Sequence, residues 1–322
     1  MTDKMRAALL TGPAAMTIAE VAVPVPGSGE VRVRLEGCGV CASNVEPYEG
    51  QPWSTFPGEP GGLGHEGWGI VDAIGEDVDD IRVGDRVATL AGHSFARYDI
   101  ARADAVAVLP AALAGIPFPG EPLGCAMNIF RRADIHAGQT VAIVGIGFLG
   151  AILARLATDA GARVIAISRR QSSLDLARSF GAAETIVMDD HYRIIEDVKR
   201  ITGDALCERV IEAVGKQWPL DLAGELVGFG AKLIVAGYHQ DGPRQVSMQM
   251  WNWKGIDVIN AHERDPAVNL RGLREAIDAV ASGRLDPSPL YTHRYPLDRV
   301  GEAIEATRDK PNGFVKALLT YD

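Results

Sequence analysis

Cysteine is scarce: Cys38, Cys41, Cys125 and Cys207 are the four in 322 residues. They are too few and too scattered to staple a fold together, so a reduced, cytoplasmic chain is expected. Positive charge is in deficit as well. With 32 Lys and Arg against 42 Asp and Glu, the formal net charge is −10. That balance argues against a broad surface for nucleic acid or anionic membrane, both of which need clustered Lys and Arg. Long apolar runs are missing, because Gly and charged residues break each of them well short of the ~20 residues of a membrane span. Met1 to Arg6 carries charge, but no apolar segment of signal-peptide length follows it. There is no internal repeat and no low-complexity tract. What is present is a globular composition, 47 % hydrophobic and 23 % charged, on a chain long enough for two domains.

The first third of the chain reads as short β-strands punctuated by Gly and Pro, at residues 7–10, 17–23, 30–36, 67–74, 86–90, 96–100 and 105–109. Strands in this style suggest a barrel or sandwich. The rhythm changes near Gly120. A helix pattern covers 122–133, and apolar runs at 141–144, 164–167, 185–188, 209–213, 233–236 and 257–259 then alternate with helix-like segments. Leu149, Ile152, Leu153 and Leu156 fall on one helix face. Strand–helix alternation on this scale means parallel βαβ units and a doubly wound sheet. After Ala261 come amphipathic helices at 270–281 and 298–307 and a last strand at 314–319. These do not extend the sheet pattern, so they are expected to return to the N-terminal domain.

Gly145, Gly147 and Gly150 form a G-x-G-x-x-G run directly after the apolar strand 140–144 and at the start of the helix just described. Strand before and helix after are the context that lifts this pattern above a chance cluster of glycines. Gly145 permits a tight turn, Gly147 lets backbone N–H groups approach a pyrophosphate at the positive helix end, and Gly150 allows close helix–sheet packing. Gly145, Gly147, Phe148, Leu149 and Gly150 are therefore the candidate phosphate-binding segment. The next strand ends Ser168-Arg169-Arg170. A site for NAD usually places Asp or Glu there to hold the ribose 2′-hydroxyl, and Ser168 takes its place. Two guanidiniums can pair with a 2′-phosphate that a carboxylate would repel, so NADP(H) is favoured over NAD(H).

Cys38-Gly-Val-Cys41 has no second C-x-x-C to complete a four-cysteine zinc ribbon, and it ends a strand in the β-rich region rather than in a βαβ setting. More useful partners follow at Gly64-His65-Glu66. Cys41, His65 and a carboxylate make a mixed S/N/O set suited to zinc with an open position. Cys41-Ala-Ser43-Asn44, then Gly64-His65-Glu66, then Gly84-Asp85-Arg86-Val87, then the glycine fingerprint and finally Phe314-Val-Lys316 resemble the medium-chain zinc alcohol dehydrogenase family. The order holds over essentially the whole chain.

The resemblance implies a GroES-like β-barrel catalytic domain in residues 1–126 and 264–322, with a Rossmann doubly wound parallel-sheet domain inserted at 127–263. It implies zinc held by Cys41, His65 and a carboxylate: Glu66, which ligates zinc or exchanges with its water, and Glu121, which stands where polyol-type members carry their third fixed ligand. Cys125 matches a position that often holds Thr against the nicotinamide. Ser43 matches the hydroxyl that relays the alcohol proton outward, and Cys41, Ser43 and His65 are the candidate catalytic residues. Two departures stand out. Asn44 replaces an Asp that supports a ligand histidine, and no cysteine lies between Asp85 and Phe95, where the family's structural zinc lobe would be. One catalytic zinc and no structural zinc is expected.

The implied activity is reversible oxidation of a small alcohol, secondary or polyol, with zinc and NAD(P). A homodimer or homotetramer is expected, without a nucleic-acid or membrane partner. The rival readings are a zinc-free quinone or enoyl reductase of the same superfamily, which has no need of Cys41, His65 and Glu121 together, and a non-catalytic nucleotide-binding protein. Cys38, Cys207, Trp251 and Trp253 are expected in cores. His93, His136, His239, His262 and His293 are read as surface or packing histidines, and Tyr48, Trp53, Phe56 and Phe95 as candidates to line a substrate cleft.

Overall fold

Alternating burial sets the opening strands. β1 (Lys4–Gly12) and β2 (Ala15–Ala22) pair as an antiparallel hairpin. β3 (Glu30–Val40) buries Val31, Val33 and Leu35 on one face, then is continuously buried from Gly37 to Val40. The short helix α1 (Val45–Glu49) follows, then β4 (Gly67–Ile74), β5 (Arg86–Thr89), β6 (Tyr98–Arg102), β7 (Val106–Val108) and the helix α2 (Gly120–Ala133). The computed structural model describes residues 3–321. These divide into two units: one holds the chain up to Cys125 and from Arg264 onward, the other is Ala126–Glu263.

The second unit alternates β8 (Thr140–Val144), α3 (Phe148–Asp159), β9 (Arg163–Ser168), α4 (Gln171–Ser179), β10 (Glu184–Val187), α5 (His191–Thr202), β11 (Cys207–Glu212), α6 (Gln217–Leu226), β12 (Val227–Val235), α7 (Met248–Lys254) and β13 (Asp257–Asn260). All of its strand pairs are parallel, in the order β10-β9-β8-β11-β12-β13. Helices cover both faces of such a sheet, which is why its central strands are continuous apolar runs rather than alternating ones. Val144, Ile165, Ile167, Val210 and Leu233 from the strands meet Ile194, Val198, Leu220 and Leu226 from α5 and α6 in one core. Asp190 caps α5 by accepting from the Arg193 N–H, and Gly203 ends it at φ +60. The strand order reverses between β8 and β11, the switch point at which such sheets take a ligand beyond their carboxyl ends.

α8 (Pro266–Ala281), β14 (His293–Pro296), α9 (Val300–Asp309) and β15 (Ala317–Thr320) rejoin the first unit. Its larger sheet runs β14-β15-β3-β4-β5-β7, with β6 also on β3. α2 docks on α8 through two glycines one turn apart. A Cβ on Gly120 would lie 2.5 Å from the Leu273 side chain, and one on Gly124 would lie 2.8 Å from the Leu273 backbone. This contact fixes the first turn of α2.

All seven strands read from the opening segment are present, as are the six of the parallel sheet. α1 and β14 escape the sequence reading: α1 has five residues, and β14 is polar apart from Tyr295 and Pro296. The last strand begins at Ala317 rather than 314, because the Phe314 N–H closes a turn on the Pro311 carbonyl and its ring packs on His293. Trp253 is not a core residue. It is 78 % exposed, while Trp251 is partly buried against the parallel-sheet core. Among the described residues no helix is long and apolar enough to cross a membrane.

Candidate functional site

β3 is the strand that assembles the first site. Its last residue is followed by Cys41, and β4 lies on one side of it and β15 on the other. Register places Gly67 opposite Cys38 and Ala317 opposite Val40. Glu66, just before β4, and Lys316, just before β15, therefore arrive at the same end of β3 from opposite sides. Gly39 lies between them without a side chain: a Cβ there would come 1.8 Å from Glu66 Oε2 and 3.1 Å from Lys316 Cε. Lys316 Nζ donates to Glu66 Oε1 at 2.6 Å, and both side chains are buried. Burial opposes the Lys316 charge, but Glu66, Cys41 and Glu121 outweigh it and hold its pKa above the ordinary value.

Ligand atoms of Cys41, His65 and Glu66 all lie within 4.8 Å of one another. The Leu63 carbonyl organises them. It accepts from Asn44 Nδ2 and from His65 Nδ1, each at 2.8 Å, while Asn44 Oδ1 accepts the Cys41 N–H at 2.9 Å. A carbonyl only accepts, so Nδ1 carries a proton and Nε2 is the ring nitrogen left to act as a ligand. Asn44 thus braces the histidine through a shared carbonyl rather than by direct contact. Burial would lower the His65 pKa, yet its hydrogen bond to Cys41 and the charges of Cys41, Glu121 and Glu66 raise it to about 10. Glu66 Oε2 is buried without a hydrogen-bond partner. A bare carboxylate oxygen beside a thiol and an imidazole nitrogen is costly unless a cation satisfies it. The donor set fits zinc.

Glu121 lies in the first turn of α2, outside that three-atom cluster but close enough to raise the His65 pKa. Burial raises its own carboxyl, and His65 pulls it partly back. The Cys125 thiol, one turn on, donates to Glu121 Oε1 at 3.1 Å, and burial with that neighbour pushes it well above its ordinary range. Ser43 is partly buried in the turn directly after Cys41. Tyr48 borders a surface pocket with Met16, Val300 and Glu305, in which Cys41, His65 and Glu66 take no part, and Phe95 has no exposed surface. Tyr48 is buried, bonded to the Ala14 carbonyl and Glu305, and Phe95 is wholly buried in the same core. Trp53 is exposed and Phe56 packs on that core.

In the second unit the three fingerprint glycines differ in what surrounds them. Gly145 has φ +103, and a Cβ there would meet the Val214 side chain at 2.4 Å. A Cβ on Gly150 would lie 2.0 Å from the Gly145 carbonyl oxygen. Around Gly147 nothing lies within 4 Å of that position, so the N-terminus of α3, which starts at Phe148 and Leu149, is open to a ligand. Ser168 is buried at the end of β9. Arg169 is exposed, and burial together with the Arg169 charge lowers the Arg170 pKa.

Lys316 and a network around Glu212 are missing from the site residues read from sequence. Lys316 is visible there only as part of a family motif. Glu212 is an acid ending an apolar strand, and His239 lacks a neighbouring motif. Cys38 and Cys207 are buried as expected, and all four thiols are free.

Residues 27–128 match the alcohol dehydrogenase GroES-like domain family and residues 149–281 the zinc-binding dehydrogenase family. An alcohol dehydrogenase of Moraxella sp. (strain TAE123) is 31 % identical over 341 residues, which span 95 % of this chain and 96 % of that one. A sorbitol dehydrogenase of Gallus gallus is 27 % identical, over 93 % of this chain and 92 % of its own. A structure described as a zinc-binding dehydrogenase of Sinorhizobium meliloti 1021, bound to NADP, matches with a TM-score of 0.85 at 25 % identity, covering 99 % of both chains. Likeness that runs through both units, to proteins named alcohol and sorbitol dehydrogenases, makes this chain an oxidoreductase of the medium-chain dehydrogenase/reductase superfamily, of the zinc-containing alcohol and polyol dehydrogenase type.

Proposed function

We propose that the protein is a zinc-dependent alcohol dehydrogenase, transferring hydride reversibly between a secondary or polyol alcohol and a nicotinamide dinucleotide, with NADP(H) preferred to NAD(H). The observation that carries this is the meeting of Cys41, His65 and Glu66 around a carboxylate oxygen that lacks a partner. Cys41 and His65 are the fixed ligands, with the histidine tautomer set by the Leu63 carbonyl. Glu66 is the exchangeable carboxylate, anchored by Lys316, and Glu121 supplies the second. Zinc bound there supplies the Lewis acidity that lowers an alcohol's pKa. Ser43 receives the alcohol proton and passes it outward. One zinc per chain is proposed, because among the described residues only Cys41 of the four cysteines joins a histidine and a carboxylate.

For the cofactor, the open position at Gly147 and the start of α3 take the pyrophosphate. Ser168 offers no carboxylate to repel a 2′-phosphate, and Arg169 with Arg170 stands ready to hold one. The similar Sinorhizobium protein binds NADP. The polyol preference rests on Glu121. A homodimer or homotetramer fits the open sheet edge at β13, where Val258 is exposed, with Trp253 exposed just before it. Free thiols fit a cytoplasmic setting.

Metal analysis of metal-replete protein, with an alcohol panel assayed with both cofactors, tests the proposal. One zinc per chain and alcohol-dependent reduction of NADP are expected. Cys41→Ala should weaken zinc binding by more than the 10–100-fold that loss of an outer-shell partner costs. Two zincs, none, or full metal and turnover in Cys41→Ala overturns it.

A further inference from the structure

Glu212 ends β11 with no exposed surface, and its carboxylate is fully engaged. Oε1 accepts the N–H groups of Val214 and Gly215 at 2.7 and 2.8 Å, and Oε2 meets His239 Nε2 at 3.0 Å. On the far side of that ring, Arg244 Nε donates to His239 Nδ1 at 2.9 Å. Arginine only donates, so Nδ1 accepts and the ring proton lies on Nε2, directed at Glu212. Arg244 also donates to the Gly215 carbonyl at 2.9 Å and pairs with Asp241, which in turn takes Lys216 Nζ at 2.8 Å. One chain of polar contacts thus ties the loop after β11 to the loop after β12.

The backbones of the two loops touch as well. A Cβ on Gly237 would lie 2.2 Å from the Gly215 nitrogen, and one on Gly215, at φ +81, would lie 2.5 Å from the Tyr238 carbonyl oxygen. Register places Glu212 beside Val144, the residue before the fingerprint, and Val214 fills the space beside Gly145. The network therefore sits at the carboxyl ends of the strands, next to the phosphate-binding turn. A dinucleotide fold is two mononucleotide-binding halves. The β8–β9–β10 half carries the ribose position at Ser168, which leaves the β11–β12 half to the other nucleotide.

We infer that Glu212, His239 and Arg244 form a latch that positions the two loops under the nicotinamide half of the cofactor, with His239 as its positioning residue. The inference rests on the dinucleotide reading above. Because the latch acts on one half only, losing it should weaken the whole dinucleotide and spare the adenosine half.

Calorimetric titration of NADPH and of adenosine 2′,5′-bisphosphate, which lacks the whole nicotinamide nucleotide, tests this on the parent, His239→Ala and His239→Gln. Glutamine can donate to Glu212 and accept from Arg244 as the neutral imidazole does. His239→Ala should bind NADPH about 10-fold less tightly, the scale of one charged hydrogen bond, and bind the fragment as the parent does. That unchanged fragment binding also shows that the fold is kept. His239→Gln should recover most of the NADPH affinity. Equal losses for NADPH and fragment, no loss for either, or a glutamine variant no better than alanine overturns the latch. A parent that binds neither NADPH nor NADH overturns the dinucleotide reading itself, whatever the variants do.

Discussion

With one oxygen on Lys316 and the other without a hydrogen-bond partner, Glu66 shows why single residues dominate this site. Lys316 is the buried counter-charge that the structure gives this carboxylate. Ser43 is the residue proposed to connect the site to solvent. Ser43→Ala is expected to keep fold and cofactor affinity while slowing alcohol oxidation by ~10²-fold, the usual scale for an acid–base group. Coincident pH–rate profiles of variant and parent would remove the relay role. Arg169 is the residue proposed to carry the cofactor preference. One charged hydrogen bond is worth about 1.5–3 kcal/mol, reduced by exposure and salt, so Arg169→Ala should weaken NADP(H) by up to ~10-fold and leave NAD(H) nearly unchanged. The measurement is kcat/KM for both cofactors with one alcohol; a parent that uses NAD(H) equally well shows that the arginines are solvated surface charge. At this scale the sequence shows Cys41, His65 and the fingerprint, because each sits in a local motif. It does not show that Tyr48 and Phe95 are core residues, since an aromatic side chain on a single-turn helix or a loop carries no mark of which way that segment folds.

At the scale of elements, the turn from β8 into α3 makes two neighbouring glycines behave oppositely. Gly150 presses on the Gly145 carbonyl, so Gly150→Ala forces the helix away from the strand and should cost about 1–3 kcal/mol, as overpacking does. Gly147→Ala meets no atom of the protein and should leave the denaturation midpoint almost unchanged, while its methyl obstructs the pyrophosphate and weakens dinucleotide binding. Denaturant unfolding and cofactor titration on the two variants read both effects; a Gly147→Ala protein that binds cofactor as the parent does removes Gly147 from the site. The strands were legible because alternation and apolar runs report burial on one face or two. α1 and β14 were not, because a single helical turn and a four-residue polar edge strand leave no period to read.

For the whole molecule, each unit has its own buried core, and the proposed zinc and cofactor fall in different units. Chelation should therefore lower hydrogen-exchange protection around β3, β4 and β15. NADPH at 100 times its Kd should stabilise the 126–263 unit by about 2.7 kcal/mol. Hydrogen exchange with mass analysis assigns each change to its segment. Loss of protection on chelation confined to 126–263 would place the metal elsewhere.

What the sequence determined by itself was whatever physical chemistry confines to neighbouring residues. The glycine turn after β8 needs its glycines at fixed spacing, a buried parallel strand needs a continuous apolar run, and the proposed ligand cysteine and relay serine need one short turn. Tertiary structure alone decided the contacts made across distance. Lys316 reaches Glu66 from 250 residues away because β15 and β4 flank β3 in one register, and His239 reaches Glu212 because adjacent parallel strands end side by side. An ion pair or a buried histidine leaves no periodic trace in sequence. Its partner is set by which strands become neighbours, and that is a property of the folded sheet.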